Sequence, residues 1–205
     1  MIRKSEPKDK IDVLKLHYMA GPNFHKYLWA CDEQKVYKLL DRLYDTTDTF
    51  TSRDFFWVND EDGIVKGAIC LLPARDKKLL EHNIGEYMRD LTRIAGPVSI
   101  IRMMLHSSLN RYLPKCNDDE LYIQALAVYP EYRGRRVSSA LLAHAFAHAR
   151  QMNLPKVSLL AETQNEHAIS IYKKYGFSIT QTIELAPKYR KYKLYGAHKM
   201  VASVG

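Results

Sequence analysis

The stretch Leu126-Ala-Val-Tyr-Pro-Glu-Tyr-Arg-Gly-Arg-Arg-Val-Ser-Ser-Ala-Leu-Leu142 decides how this chain is read. The apolar run Leu121–Val128 reads as a strand, Tyr129–Gly134 as a loop and Arg136–Met152 as a helix. Asn153-Leu-Pro155 ends the helix, and Val157–Ala161 is a second apolar strand. Strand, helix and strand make a βαβ unit, whose strands run parallel with a right-handed crossover. Ligands collect beyond the carboxyl ends of such strands, where the helix amino terminus points. Here Arg133-Gly-Arg-Arg-Val-Ser138 leads into Ser139. A tight loop opening a helix presents unpaired backbone N–H groups and the positive end of the helix dipole. Arg133, Arg135 and Arg136 add charge. Physically this is a phosphate cradle, although a basic helix start can also be a plain solvated end.

Working outward, Glu166–Tyr175 reads as a helix stopped at Gly176, followed by strands over Phe177–Leu185 and Tyr192–Val201, which Pro187–Lys191 connects. On the amino-terminal side, Ile2-Arg-Lys4 predicts a short strand and Pro7–Asp9 a turn with Asp9 as an N-cap. Ile11, Leu14 and Leu16 then mark a helix that Gly21-Pro22 ends. Glu33–Tyr44 carries Val36, Leu39, Leu40 and Leu43 on one face of a second helix. Phe55–Val58 and Ile64–Leu72 read as a hairpin turning at Asn59–Gly63. Two helix-like segments, Lys77–Ile94 and Pro97–Tyr112, fill residues 77–115, and the second is expected to pack on the sheet or cover a pocket. A membrane-surface helix is the alternative, but Arg102, Arg111 and Lys115 form no tight polar face.

The 205 residues fit one domain, 1–205, and the 46% apolar content is ordinary for a folded protein. No apolar run is long enough to span a bilayer and no signal peptide is evident, so a cytoplasmic location is expected. Cys31, Cys70 and Cys116 are too scattered for a disulfide framework or a paired-cysteine metal site. The net charge of +8 points to an anionic partner, either nucleic acid or a phosphorylated small molecule.

The quoted stretch resembles the acyl-CoA-binding motif of the GNAT acetyltransferases: a strand ending in an L-A-V-type tripeptide, then P-E-Y-R-G, then a basic loop opening a helix. Asn165-Glu-His-Ala-Ile-Ser-Ile-Tyr-Lys-Lys-Tyr-Gly-Phe177 resembles the same family's N-x-x-A-x-x-x-Y-x-K-x-G-F element. The resemblance covers residues 121–177, the acyl-CoA-binding core. It implies an α/β GNAT fold, with a mostly antiparallel sheet containing one parallel βαβ pair, and it leaves 77–115 as a helical insertion. One departure stands out: small positions of the family pattern hold Arg136 and Ser138 here.

The resemblance also implies roles. The backbone of Leu126, Ala127 and Val128 would pair with the pantetheine arm of acetyl-CoA, and the Val128 N–H would polarise the thioester carbonyl. Backbone donors of Arg133, Gly134, Arg135, Arg136, Val137, Ser138 and Ser139 would hold the pyrophosphate. Asn165 would contact the pantetheine amide, and Tyr172 would protonate the departing thiolate, a task that suits a phenol with an ordinary pKa near 10. The acceptor is an amine, small or on a protein, held in a pocket built from the first helices, 77–115 and the 186–193 loop, and it must lose a proton. Glu120, Glu162, or Gln124 through a water are the candidates for taking it, and each carboxylate could equally be plain surface. No metal is implied, and a homodimer is compatible with the family. A catalytically weak acyl-CoA-binding or interaction module on the same fold is the second reading.

Two further patterns weigh less. His144 and His148 have metal-ligand spacing, but Ala145-Phe-Ala147 between them lacks the glutamate of H-E-x-x-H, so helix packing is the better account. Tyr172, Tyr175, Tyr189, Tyr192 and Tyr195 lie among lysines and Arg190. Nucleic-acid stacking would need them alternating on an exposed sheet face, whereas Tyr172 falls on a helix and Tyr189 in a turn.

Overall fold

In the computed structural model, which describes residues 1–205, the sheet is organised about β4 (Glu120–Val128). Seven strands run in the order β1-β2-β3-β4-β5-β7-β6. The others are β1 (Ile2–Lys4), β2 (Phe56–Glu61), β3 (Ile64–Pro73), β5 (Lys156–Glu162), β6 (Ser178–Glu184) and β7 (Gly196–Ser203). Every pairing is antiparallel except β4 with β5. This is the mixed sheet with one parallel pair that the sequence predicts.

Helices cover both faces, which explains why β3 and β4 are apolar along nearly their whole length. Alternation divides their side chains. Ala68, Cys70 and Leu72 join a core with α1 (Lys10–Ala20), α3 (Glu33–Tyr44), α5 (Met88–Ala95) and α6 (Pro97–His106). Ile69 and Leu71 face the opposite core, which includes Leu141, Leu142, Ala145 and Ala149 of α7 (Val137–Gln151). That spacing is the apolar stripe of a helix lying on a sheet. The last helix, α8 (Glu166–Lys174), adds Ile169 to the same side.

The sequence placed α3, β4, α7, β5 and α8 to within a residue or two, and several other expectations change. Gly21-Pro22 does not only end α1. Pro22 is the first residue of α2 (Pro22–Trp29), where its fixed φ and missing N–H suit a helix start. The hairpin turn is shorter than Asn59–Gly63, because β2 continues to Glu61 and only Asp62 (φ 54°) and Gly63 (φ 80°) turn. Two successive left-handed residues are the geometry that suits a tight hairpin. The segment Lys77–Ile94 is broken into α4 (Lys77–His82), a 3₁₀ stretch Asn83–Tyr87 and α5. Gly85 in that stretch is a poor helix former. Strand β7 starts at Gly196 rather than Tyr192, because a 3₁₀ turn over Pro187–Tyr192 ends on left-handed Lys193 (φ 58°). Asp9 does not cap α1 with its side chain. Its carboxylate takes Arg3 Nη1 at 2.6 Å and the Glu6 N–H at 2.8 Å, and so pins the chain start to the sheet. No helix is long and apolar enough to cross a membrane.

Candidate active site

Strands β4 and β5 pair only from Glu120↔Lys156 to Ile123↔Leu159. Beyond that register Gln124–Val128 and Leu160–Glu162 separate and leave a cleft in the middle of the sheet. The cause is visible in β4. Opposite β3 the register passes from Leu71↔Ile123 to Cys70↔Ala125, so Gln124 is an extra residue. A bulge of this kind bends its strand and increases the local twist. Backbone direction follows from one bond: the Tyr129 N–H donates to Lys66 O at 3.0 Å, on the β3 side. Alternation then turns the N–H and C=O groups of Leu126 and Val128 away from β3 and into the cleft. The Val128 carbonyl accepts Arg133 Nε at 3.4 Å.

The loop after β4 is built to keep backbone donors free. Pro130–Tyr132 forms a 3₁₀ turn, and the Arg133 N–H donates to Pro130 O at 3.2 Å. Gly134 (φ 74°) and Arg136 (φ 61°) then swing the chain into α7. From Gly134 through Ser139 no backbone N–H has an acceptor within the protein, since these groups precede the first turn's own bonds. The run of open donors therefore begins at Gly134, one residue after Arg133. Val137 is buried and anchors the loop to the core, while Ser138 and Ser139 are half-buried. Arg136 holds a left-handed conformation that costs a residue with a Cβ about 1–2 kcal/mol. Its carbonyl accepts the Ala140 N–H at 3.0 Å.

Asn165 caps α8. Its Oδ1 accepts the Ala168 N–H at 3.1 Å and its own N–H reaches Glu162 O at 2.9 Å, which leaves the side-chain NH₂ available. Tyr172 packs in the core cluster that also holds Leu126, Val128 and Phe177, its ring edge-on to Phe177 at 5.8 Å. Burial raises its phenol to about 12, so it stays protonated through the neutral range.

The two candidate carboxylates part company. Glu162 ends β5 at the open side of the cleft, exposed at its rim with no ion-pair partner, and partial desolvation there raises it above its ordinary pKa. Glu120 lies at the closed end of the β4–β5 pair. It is wholly buried and held by Lys199 Nζ at 2.8 Å and Asn117 Nδ2 at 2.9 Å, so it is a structural ion pair removed from the cleft. Gln124 donates Nε2 to Phe50 O at 3.4 Å.

Above the cleft lies a cavity of about 650 Å³. Its floor includes Gln124, Ala125, Leu160, Ala161 and Glu162. One wall comes from α1 and α2, with His17, Phe24 and Trp29, and another from the 77–115 segment, with Glu81, Met88, Met103 and Leu109. The helices of 77–115 thus both pack on the sheet and cover a pocket. Sequence reasoning did not assign His17, Phe24, His25 or Trp29 to the site. The density of aromatic rings between residues 17 and 29 is the signal that could have pointed to them.

Of the remaining patterns, the histidine pair and Tyr189 are packed, while Tyr192 and Tyr195 are exposed. His144 and His148 stack 6.0 Å apart beside Trp57, and no group of three His, Cys, Asp or Glu side chains is placed to hold a metal. Tyr189 is buried, edge-on to Tyr27 at 5.8 Å, and does not present its face for base stacking. Burial pushes the Cys31 thiol up to about 11, and the buried Cys70 thiol higher still, so neither is an activated nucleophile.

Known proteins bear on this geometry. A 63-residue stretch, 31% of the chain, is 33% identical to a mycothiol acetyltransferase of Propionibacterium freudenreichii subsp. shermanii, although the match spans only 20% of that relative's length. The whole chain overlays a solved acetyltransferase structure with a TM-score of 0.73 at 18% identity, covering 100% of both chains. An N-acetyltransferase from Staphylococcus aureus Mu50 overlays with a TM-score of 0.70 at 25% identity, covering 98% of this chain and 100% of that one. The family model for "Acetyltransferase (GNAT) family" matches residues 22–177, most of the chain and all of the cleft described above. That match takes in the bulged β4, its split from β5 and the donor-rich start of α7, and the protein belongs to the GNAT acetyltransferase family.

Proposed function

We propose that the protein transfers an acetyl group from acetyl-CoA to a primary amine, with both substrates bound at once. The observation that carries this reading is the cleft between Gln124–Val128 and Leu160–Glu162, continuous with the open backbone donors of Gly134–Ser139. An extended arm with amide groups can complete the sheet against Leu126 and Val128, and a pyrophosphate matches a helix start rich in unpaired N–H groups. A Cβ at Gly134 would meet nothing within 4 Å, so the loop stands clear for a bulky anion. The exposed side chains of Arg135 and Arg136 add positive charge there. The seven-stranded sheet supports one domain over residues 1–205, with 77–115 as its insertion.

The thioester supplies an activated acetyl carbon, and the protein supplies the rest. The Val128 N–H is turned to polarise the carbonyl, and the side-chain NH₂ of Asn165 is free to hold the arm. Glu162 is the group we assign to the amine proton. Its raised pKa brings it nearer to the working pH, where a carboxylate is a better base. The amine nitrogen bonds to the acetyl carbon, the carbon–sulfur bond breaks, and the Tyr172 hydroxyl gives its proton to the leaving sulfur. Glu120 is left out of this scheme because Lys199 holds it.

Calorimetric titration with acetyl-CoA and CoA tests the donor site. Micromolar binding that survives Tyr172→Phe supports the assignment, followed by an amine-dependent release of thiol that the substitution abolishes. A second reading, a catalytically weak acyl-CoA binder, is favoured by one observation: Arg136 and Ser138 stand where the family pattern has small residues. Micromolar CoA binding without thiol release for any amine would select it, and no binding at high micromolar CoA would sink both.

A further inference from the structure

The amine itself can be narrowed from the cavity wall. Its only charged side chains are Lys77, Glu81 and Glu162. Lys77 lies over the Tyr122 ring, 4.4 Å from the centroid, and Glu81 stands 4.0 Å from its ammonium, so these two charges offset each other. Glu162 alone has no cation beside it. Most of the rest is apolar or aromatic, including Phe24, Trp29, Phe50, Met88, Met103 and Leu160. His17 and His25 sit edge to face at 4.8 Å, and burial lowers both imidazoles, His25 to about 4, so neither is a cation near neutral pH. The Trp29 Nε1 and both His17 ring nitrogens are buried without a hydrogen-bond partner, and these rings add no charge to the wall. The basic cluster Lys188, Arg190, Lys191 and Lys193 contributes nothing to the wall.

We propose that the cavity takes a small primary amine with one charged nitrogen and an apolar body, aliphatic or aromatic. The proposal rests on the acyltransfer reading for the chemistry, though not for the binding. The single ammonium is drawn to Glu162 at the cleft, and the body lies on rings and on methionines that adapt to its shape. A polyamine would leave further ammonium groups desolvated against apolar side chains, with Glu81 already engaged by Lys77. An acidic amine finds no free cation. A protein tail would have to pass the walls that 77–115 and α1–α2 build. A longer acyl chain on the donor is the other apolar occupant of the right character, but it gives the unpaired Glu162 carboxylate nothing to hold.

Calorimetry on the unmodified protein, with and without CoA, tests this with ethylamine, butylamine, hexylamine, phenethylamine and spermidine. Each buried methylene is expected to tighten binding by about fourfold, from the transfer free energy of a CH₂ group, until the cavity is full. Phenethylamine is expected to bind at least about tenfold tighter than spermidine, because burying an unpaired charge outweighs added length. Met103→Glu, at a half-buried wall position, is expected to narrow or reverse that order. A flat alkyl series, or a preference for spermidine, would overturn the proposal. So would a flat alkyl series combined with much tighter binding of octanoyl-CoA than acetyl-CoA, which would give the space to the acyl chain. Loss of CoA binding with an intact amine series would remove the acyltransfer reading and leave this one standing. Intact CoA binding with a flat series would do the reverse.

Discussion

Lys199 Nζ lies 2.8 Å from Glu120 Oε1, across β5 from its partner strand, and both side chains are almost wholly buried. Lys199 also donates to Lys115 O at 2.9 Å, so one ammonium ties β7, the start of β4 and the end of the 77–115 segment together. Breaking a buried pair from one side strands the other charge. Lys199→Met is therefore expected to cost about 3–5 kcal/mol of stability, read from urea unfolding. The double replacement Glu120→Gln with Lys199→Met is expected to recover part of that loss. Turnover per folded molecule is expected to stay near the parent value, which would confirm that Glu120 is no base.

Arg136 sits left-handed at φ 61°, a conformation that glycine adopts without Cβ strain. Arg136→Gly is expected to raise stability by about 0.5–1 kcal/mol, the strain relieved less the extra entropy of glycine in the unfolded chain. Thermal unfolding would show this as a small upward shift in Tm. If the guanidinium also meets the donor's phosphates, CoA binding weakens in the same variant and the loss shrinks at high salt.

Tyr172→Phe is expected to lower kcat by about 10²–10³, within the usual range for a positioned acid, while leaving the donor Kd nearly unchanged. The phenol's pKa is raised to about 12 by burial. A raised value favours the protonated form in the folded state, so the stability it contributes is complete below about pH 10 and is lost as pH rises towards 12. The parent is accordingly expected to lose more stability than Tyr172→Phe across that alkaline window.

Glu162 is likewise raised by desolvation, with opposite consequences for activity and stability. As a base it must be ionised, so the acidic limb of kcat/KM is expected above the ordinary glutamate range. Glu162→Gln is expected to remove that limb and lower kcat by about 10². The same group contributes stability below its unfolded pKa, and this fades as pH rises through the folded one. Glu162→Gln is therefore expected to be neutral or slightly stabilising at pH 7, measured by urea unfolding. A pH profile unchanged by the substitution would give the proton to another group.

The motifs at 126–142 and 165–177 were legible because local signals agree there: apolar runs, a glycine stop and a basic loop all fall where the βαβ plan needs them. Gly21-Pro22 was ambiguous because the same dipeptide can stop one helix and start another. The two carboxylates could not be separated either, since only a lysine 79 residues further on shows that Glu120 is spoken for. The acceptor pocket was expected over the first helices, 77–115 and the 186–193 loop; the first two line the cavity, the loop does not, and the individual lining residues were hidden. The walls come from α1–α2 and 77–115, which carry no recognisable motif and acquire meaning only when folding brings them over the cleft.

The short β4–β5 register has a consequence for how the sheet is held together. From Glu120↔Lys156 to Ile123↔Leu159 is all the ladder that joins β1–β4 to the half-sheet of β5, β7 and β6. Past it, no backbone ladder joins the two halves. A donor laid between them would act as the missing strand and bridge them beside the cavity floor, where Gln124, Ala125 and Leu160 lie. The Leu126 and Val128 amides should then exchange with solvent far more slowly once the donor is bound.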